Sequence, residues 1–189
     1  MRVLIAEDEA LIRMDLREML EEQGHEVVGE ARDGAQAIAL ARELTPDVIF
    51  MDINMPGVSG IEAAQVLGEE RVAPVVMVTA FSQAAYVEQA TAAGAMAYIV
   101  KPFSPADILP AMAIAVSRYA EAASLADEVV DLGERLATRK LVDLAKGILI
   151  ARGMSEPDAF KRLQRLAMDK RKTLREVAEA VILASEAEA

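Results

Sequence analysis

Acidic, hydroxyl and ammonium groups stand at the ends of short apolar runs in this sequence, and their types suit phosphoryl chemistry assisted by a divalent cation. Arg2-Val3-Leu4-Ile5-Ala6 ends in Glu7-Asp8-Glu9, and Val48-Ile49-Phe50-Met51 ends in Asp52, with Ile53-Asn54 and the turn Met55-Pro56-Gly57 behind it. A third run, Pro74 to Val78, ends in Thr79-Ala80, and a fourth, Ala97-Tyr98-Ile99-Val100, ends in Lys101-Pro102. Asp8 and Asp52 together make a hard, oxygen-rich site suited to magnesium, which tolerates few carboxylates and keeps its waters. A carboxylate beside such an ion can attack a phosphoryl group, because the metal neutralises charge building on the transferring oxygens. Thr79 supplies a hydrogen-bond donor and Lys101 a charge for the phosphoryl oxygens. Singly, an acid or a lysine at a strand end is often only solvated. The full set on one edge points to a site.

Those residues need a scaffold that brings the run ends together. Apolar runs of four or five residues closed by turn signals read as buried parallel strands. Val27 to Ala31 reads as one more short strand. Between the strands lie helical patterns. One carries Ile12, Leu16, Met19 and Leu20 and stops at Gly24; one runs from Ala35 to Leu44 before Pro46; one from Ile61 to Leu67; and one from Gln83 to Ala93 before Gly94. Strand and helix alternate five times, which predicts an α/β doubly wound five-stranded parallel sheet with its ligand site at the carboxyl ends of the strands.

Composition narrows the class. Hydrophobic residues make up 53% of the 189, aromatics only 4%, and there is no cysteine. That profile excludes a disulfide framework, a thiolate zinc site and a cysteine nucleophile. No apolar run is long enough to span a bilayer and Met1-Arg2 leads straight into a strand, so the expectation is a cytoplasmic protein with no membrane partner. The net charge of -11 is uneven: residues 1–137 hold 9 Lys and Arg against 23 Asp and Glu, and residues 138–189 hold 11 against 8. An acidic first part and a basic last part suggest two domains with different partners.

Ser104-Pro105 starts a further helix, with Pro110 expected to kink its opening turns. Ala122, Leu125, Val129, Leu132 and Leu136 then recur at the three-four spacing of a coiled-coil seam. The competing reading is one amphipathic helix packed on its own domain. Three helices are expected in the last segment. The first covers 138–151, with an apolar stripe of Leu141, Leu144, Ile148 and Leu149. The second begins at Ser155-Glu156-Pro157-Asp158 and places Phe160 in its core, and the third opens with the capping box Thr173 to Glu176. Charge alone offers Lys146, Arg165, Lys170, Arg171, Lys172 and Arg175 as phosphate contacts. Gly147 in mid-helix costs about 1 kcal/mol relative to Ala, which suggests close approach by RNA backbone or by another helix.

Glu7-Asp8, Asp52 with Met55-Pro56-Gly57, Thr79-Ala80 and Lys101-Pro102-Phe103 resemble the motif set of two-component receiver domains over residues 1–120, a flavodoxin-like fold. The resemblance implies that Asp52 accepts a phosphoryl group from a sensor histidine kinase and that the protein is not a turnover enzyme. It implies that Asp8, Asp52 and the Asn54 carbonyl hold Mg2+ and that Glu7 assists through water. Thr79 and Lys101 would bind phosphate, Lys101-Pro102 would be cis, and Tyr98 would stand at the switch position. Asn54 and Phe81 flank the expected path of attacking water, and bulky Phe81 is expected to lengthen the life of phospho-Asp52. His25 matches no motif and reads as a surface residue.

Arg139 to Leu149, Gly153-Met154-Ser155-Glu156, Ala159-Phe160, Ala167-Met168 and Leu174 to Ala178 resemble the ANTAR domain of RNA-binding transcription antiterminators, across 138–189 after a 121–137 helical linker. Ala145, Lys146 and Gly147 form the centre of that pattern and join the basic residues as candidate RNA contacts. Gln164 departs from it, standing where many such domains carry arginine. The whole chain is similar to actinobacterial antitermination regulators. The reading is a switch in which phospho-Asp52 promotes homodimerisation through the 112–137 helix, pairing two modules on RNA stem-loops. A DNA-binding regulator is the main alternative, and a receiver-based protein-interaction module the other.

Overall fold

A computed structural model of the chain describes residues 1–80 and 94–186; the helix expected over Gln83 to Ala93, and Phe81, fall outside them. Among the described residues the strands are β1 (Arg2–Ala6), β2 (Glu26–Ala31), β3 (Val48–Asp52), β4 (Val75–Thr79) and β5 (Ala97–Val100). All pairings are parallel, in the order β2-β1-β3-β4-β5. This is the expected flavodoxin-like arrangement. Helices α1 (Ala10–Glu22), α2 (Gly34–Leu44) and α3 (Gly60–Glu69) connect the strands, and α4 (Pro105–Ala151), α5 (Glu156–Lys170) and α6 (Leu174–Glu186) follow the sheet. The chain divides into two compact units, Met1–Ala123 and Ser124–Ala189.

Every residue of β3 and β4 is buried, as near-continuous apolar strands covered on both faces must be. Alternate side chains part to opposite faces. Leu4, Ile49, Met51 and Met77 pack with Ala37, Ala41, Ala63, Ala64 and Leu67 of α2 and α3. Ile5, Phe50, Val76 and Val78 pack with Leu16 and Leu20 of α1 and with Ile108, Met112 and Ala115 of α4. Each large side chain buried this way contributes about 1.5–3 kcal/mol. The alanine-rich faces of α2 and α3 let those helices lie close to the sheet. On α1 the buried ridge is Arg13, Leu16 and Leu20, so a charged residue occupies a core-facing position.

Helix α4 departs from expectation. It runs unbroken from Pro105 to Ala151, through Pro110 and across the boundary placed at 137/138. No Gly-Pro or capping stop interrupts that stretch, and i,i+4 ion pairs Asp131–Arg135 (3.0 Å) and Arg139–Asp143 (4.0 Å) span it. Leu125, Val129, Leu132 and Leu136 are 51–68% exposed. Among the described residues the stripe is therefore not covered within its own unit, as the single-helix reading required.

The second unit closes a small core of Val142, Ala145 and Leu149 from α4, Ala159 and Leu163 from α5, and Val177 and Ala178 from α6. The buried face of α4 here is rotated from the expected stripe: Leu144 is exposed, while Val142 and Ala145 point inward. Phe160, expected in the core, is exposed as well. The caps are as read. Ser155 Oγ accepts from Asp158 N at 3.3 Å, and Thr173 and Glu176 bond reciprocally, at 2.8 Å from Thr173 N to the carboxylate and 3.2 Å from Glu176 N to the hydroxyl.

Candidate functional site

Strand order reverses between β1 and β3, and an open α/β sheet binds its ligands at the carboxyl ends of the strands beside such a switch point. Asp8 follows β1 there and Asp52 ends β3. Carboxylate oxygens of Glu7, Asp8 and Asp52 all lie within 4.8 Å of one another, with Asp8 exposed and the other two buried. Lys101, just past β5, places its Nζ 2.7 Å from Glu7 Oε2 and 3.2 Å from Asp52 Oδ1. Thr79 is buried at the end of β4, one residue beyond the partner of Asp52 in the β3–β4 register. Its carbonyl accepts from Lys101 N at 2.7 Å. The Lys101-Pro102 peptide is cis, as expected. Asn54 is exposed two residues past β3. Tyr98, 48% exposed, faces a cavity of about 670 Å³ that Lys101, Pro102 and Arg118 also line.

Burial pushes the Asp52 carboxyl above its ordinary value; the Lys101 ammonium opposes that shift and Asp8 adds to it. Burial likewise raises Glu7, with Asp52 repelling it and Lys101 opposing. For Lys101 burial alone would lower the pKa, and the two carboxylates outweigh it, so the ammonium is held above the usual lysine range. Three acids against one ammonium leave the pocket short of positive charge. All its donors are hard oxygens and the exposed side at Asp8 leaves room for water, so the donor set fits magnesium.

Two positioning residues escape the motif reading. Gly60 opens α3 directly over the end of β3: its N–H donates to Ile53 O at 3.1 Å, and a Cβ there would lie 1.8 Å from Asp52 O. Arg13, 7% exposed, donates from Nη1 to Glu7 O at 2.7 Å and to Asp8 O at 3.4 Å, and from Nε to Glu30 Oε2 at 2.9 Å. The available signal for Arg13 was a charge on the apolar period of α1. Gly60 gave none beyond following a capping serine.

In the second unit the candidate contacts separate. The Ala145 side chain is fully buried in the core of this unit. Lys146 is tied down, 2.9 Å from Asp143 and 3.2 Å from Glu156. Lys172 pairs with Glu176 at 2.6 Å, holding that carboxyl at about 2, and Arg175 pairs with Glu179 at 3.0 Å. Arg165, Lys170 and Arg171 are exposed. Among the described residues nothing lies within 4 Å of where a Gly147 Cβ would be, so no neighbouring helix there accounts for the glycine. Lys170 and Lys172 also border a cavity of about 450 Å³ with Arg152, over an apolar floor of Leu149, Leu166 and Val177.

Residues 3–113 match the response regulator receiver domain and residues 130–182 the ANTAR domain. The chain belongs to the two-component response regulators, as a receiver joined to an ANTAR domain. It is 58% identical over 182 residues to the transcriptional regulatory protein PdtaR of Mycobacterium tuberculosis, spanning 96% of this chain and 89% of that one. The first unit is also similar to the chemotaxis protein CheY of Thermotoga maritima, 40% identical over 112 residues, 59% of this chain and 93% of that protein. Among solved structures, the response regulator domain of Thermotoga maritima CheB superposes with a TM-score of 0.58 at 35% identity, over 62% of this chain and 96% of that one. Among the described residues no helix is long and apolar enough to cross a membrane.

Proposed function

We propose that a sensor histidine kinase phosphorylates Asp52 and that the phosphorylated chain dimerises and binds RNA stem-loops through its second unit to cause transcription antitermination. The observation that carries the first step is the buried Asp52 carboxylate beside Lys101 and facing Asp8 across the sheet edge. One Asp52 oxygen attacks phosphorus as the phosphohistidine P–N bond breaks, and the nitrogen keeps the bonding pair. Magnesium, held by Asp8, Asp52 and the Asn54 carbonyl, would supply charge neutralisation on the transferring oxygens. Lys101 loses its carboxylate partner at Asp52 and gains a phosphoryl oxygen. Thr79 donates to another, and Tyr98 beside Lys101 reports the change.

The exposed Leu125, Val129, Leu132 and Leu136 row supports pairing of two chains as a coiled coil. Two paired modules gain avidity on a two-hairpin transcript with no new contact. Phosphate contacts on RNA would come from Arg165, Lys170 and Arg171, which are exposed and form no ion pair among the described residues. Lys146, Lys172 and Arg175 would first have to give up theirs.

Sequencing the transcripts that copurify with wild-type and Asp52→Ala protein tests the reading, followed by gel shifts on those RNAs and on duplex DNA with and without acetyl phosphate. Phosphorylation-dependent RNA binding is expected. Binding to duplex DNA alone would replace the output assignment, and RNA binding indifferent to Asp52→Ala would remove the switch.

A further inference from the structure

We propose that Arg13 is the positioning residue of the cation site, clamping the exit of β1 so that Glu7 and Asp8 present their carboxylates as one set. Asp8 has no side-chain hydrogen bond or ion pair among the described residues, so only its backbone aims it. That backbone is held from α1: the Arg13 guanidinium takes the carbonyls of both acids, Glu7 at 2.7 Å and Asp8 at 3.4 Å. Fixing two successive carbonyls fixes the peptide planes on either side of the Asp8 Cα and with them the direction of its Cβ. A guanidinium is costly to bury unless its donors are used and its charge is met. Glu30 meets the charge through Nε at 2.9 Å and is itself braced by Arg17 Nη1 at 2.7 Å. Glu9 N, donating to Glu7 Oε1 at 3.2 Å, completes the fastening of the loop. A helix with an apolar duty keeps an arginine in its buried ridge for this contact.

This role rests on the receiver reading, and the test separates the two. Magnesium chloride is titrated into the full-length wild type, Arg13→Gln, Arg13→Lys and the control Arg42→Gln, whose exposed pair with Glu70 lies outside this network, following the Asp8, Glu9 and Asp52 amides by NMR. Amide exchange at Glu9 is measured first, in EDTA. Arg13→Gln should weaken magnesium about ten-fold, the usual cost of losing an outer-shell partner, and speed Glu9 exchange before any metal is added. Arg13→Lys keeps the charge without the fork and should fall between the two, and it serves if the glutamine variant does not fold. Arg42→Gln should stay within about two-fold of wild type, as befits an exposed pair. A lowered Tm in the Arg13 variants with an unchanged magnesium Kd would assign Arg13 to stability alone and overturn the proposal. Wild-type protein that takes up no magnesium would overturn the reading of the acidic edge as a magnesium site, and this role with it.

Discussion

Gly60→Ala is the sharpest test of how the sheet edge is held. The added Cβ would lie 1.8 Å from Asp52 O, and ordinary contact begins at 3.4 Å, so α3 and the end of β3 must part by about 1.6 Å. Neither neighbour is a flexible side chain: the other atoms within reach are Asp52 C at 2.8 Å and Ile53 Cα at 3.2 Å. The same movement breaks the Gly60 N to Ile53 O hydrogen bond. Overpacking costs about 1–3 kcal/mol and the lost bond about 1 more. In a unit of this size that should lower Tm by roughly 5–20 °C. Catalytic groups tolerate misplacement of only about 0.5 Å, so labelling of Asp52 by acetyl phosphate should fall far more than stability does. Circular dichroism melts and Phos-tag gels on the full chain measure both. A Gly60→Ala protein with wild-type Tm and labelling rate would refute this account of α3 over β3.

Asp52→Asn should abolish labelling and raise metal-free Tm by a few degrees, since Lys101 keeps its shorter contact to Glu7 while the buried repulsion is relieved. The gain has a pH signature. An acid whose folded pKa is raised binds its proton more tightly when folded, so wild-type stability relative to Asp52→Asn falls as pH rises from about 4 through that raised value; paired melts at pH 4 and pH 8 in EDTA would contradict this if the difference shrank at pH 8. Leu132→Lys should leave the monomer's Tm unchanged and prevent phosphorylation-dependent dimerisation, as read by sedimentation. Gly147→Ala should stabilise α4 by about 0.5–1 kcal/mol, because no atom blocks the methyl. If RNA binding is lost while Tm rises, Gly147 contacts the ligand; a fall in Tm would contradict the open surroundings described above.

The strand tips are readable because each ends an apolar run with a polar group, Asp52, Thr79 or Lys101, that is costly to bury without a partner and so marks where the core gives way to the sheet edge. The helix caps at Ser155 and Thr173 were equally local and equally readable. What escaped depends on three dimensions. Arg13 and Gly60 act on backbone atoms only six and eight residues away, Glu7 O and Asp52 O, but across a change of chain direction whose path the side-chain pattern of α1 or α3 does not encode. The face of α4 over Val142 to Leu149 was misjudged because Leu144 and Ile148 are more apolar than Ala145, whereas the close approach of α5 and α6 requires the small residue. The boundary at 137/138 rests on a change in charge, and a change in charge does not end a helix.

If two chains pair as proposed, the uncovered row of Leu125, Val129, Leu132 and Leu136 on α4 would link the switch to protein abundance. In the proposed dimer, the paired fraction depends on how many copies the cell holds as well as on how many are phosphorylated. A cell making little of this regulator would need a stronger stimulus for the same output, and overproduction would fire the pathway with the kinase silent. Expression level would thus become a second dial on the response, set by how tightly those four side chains pair.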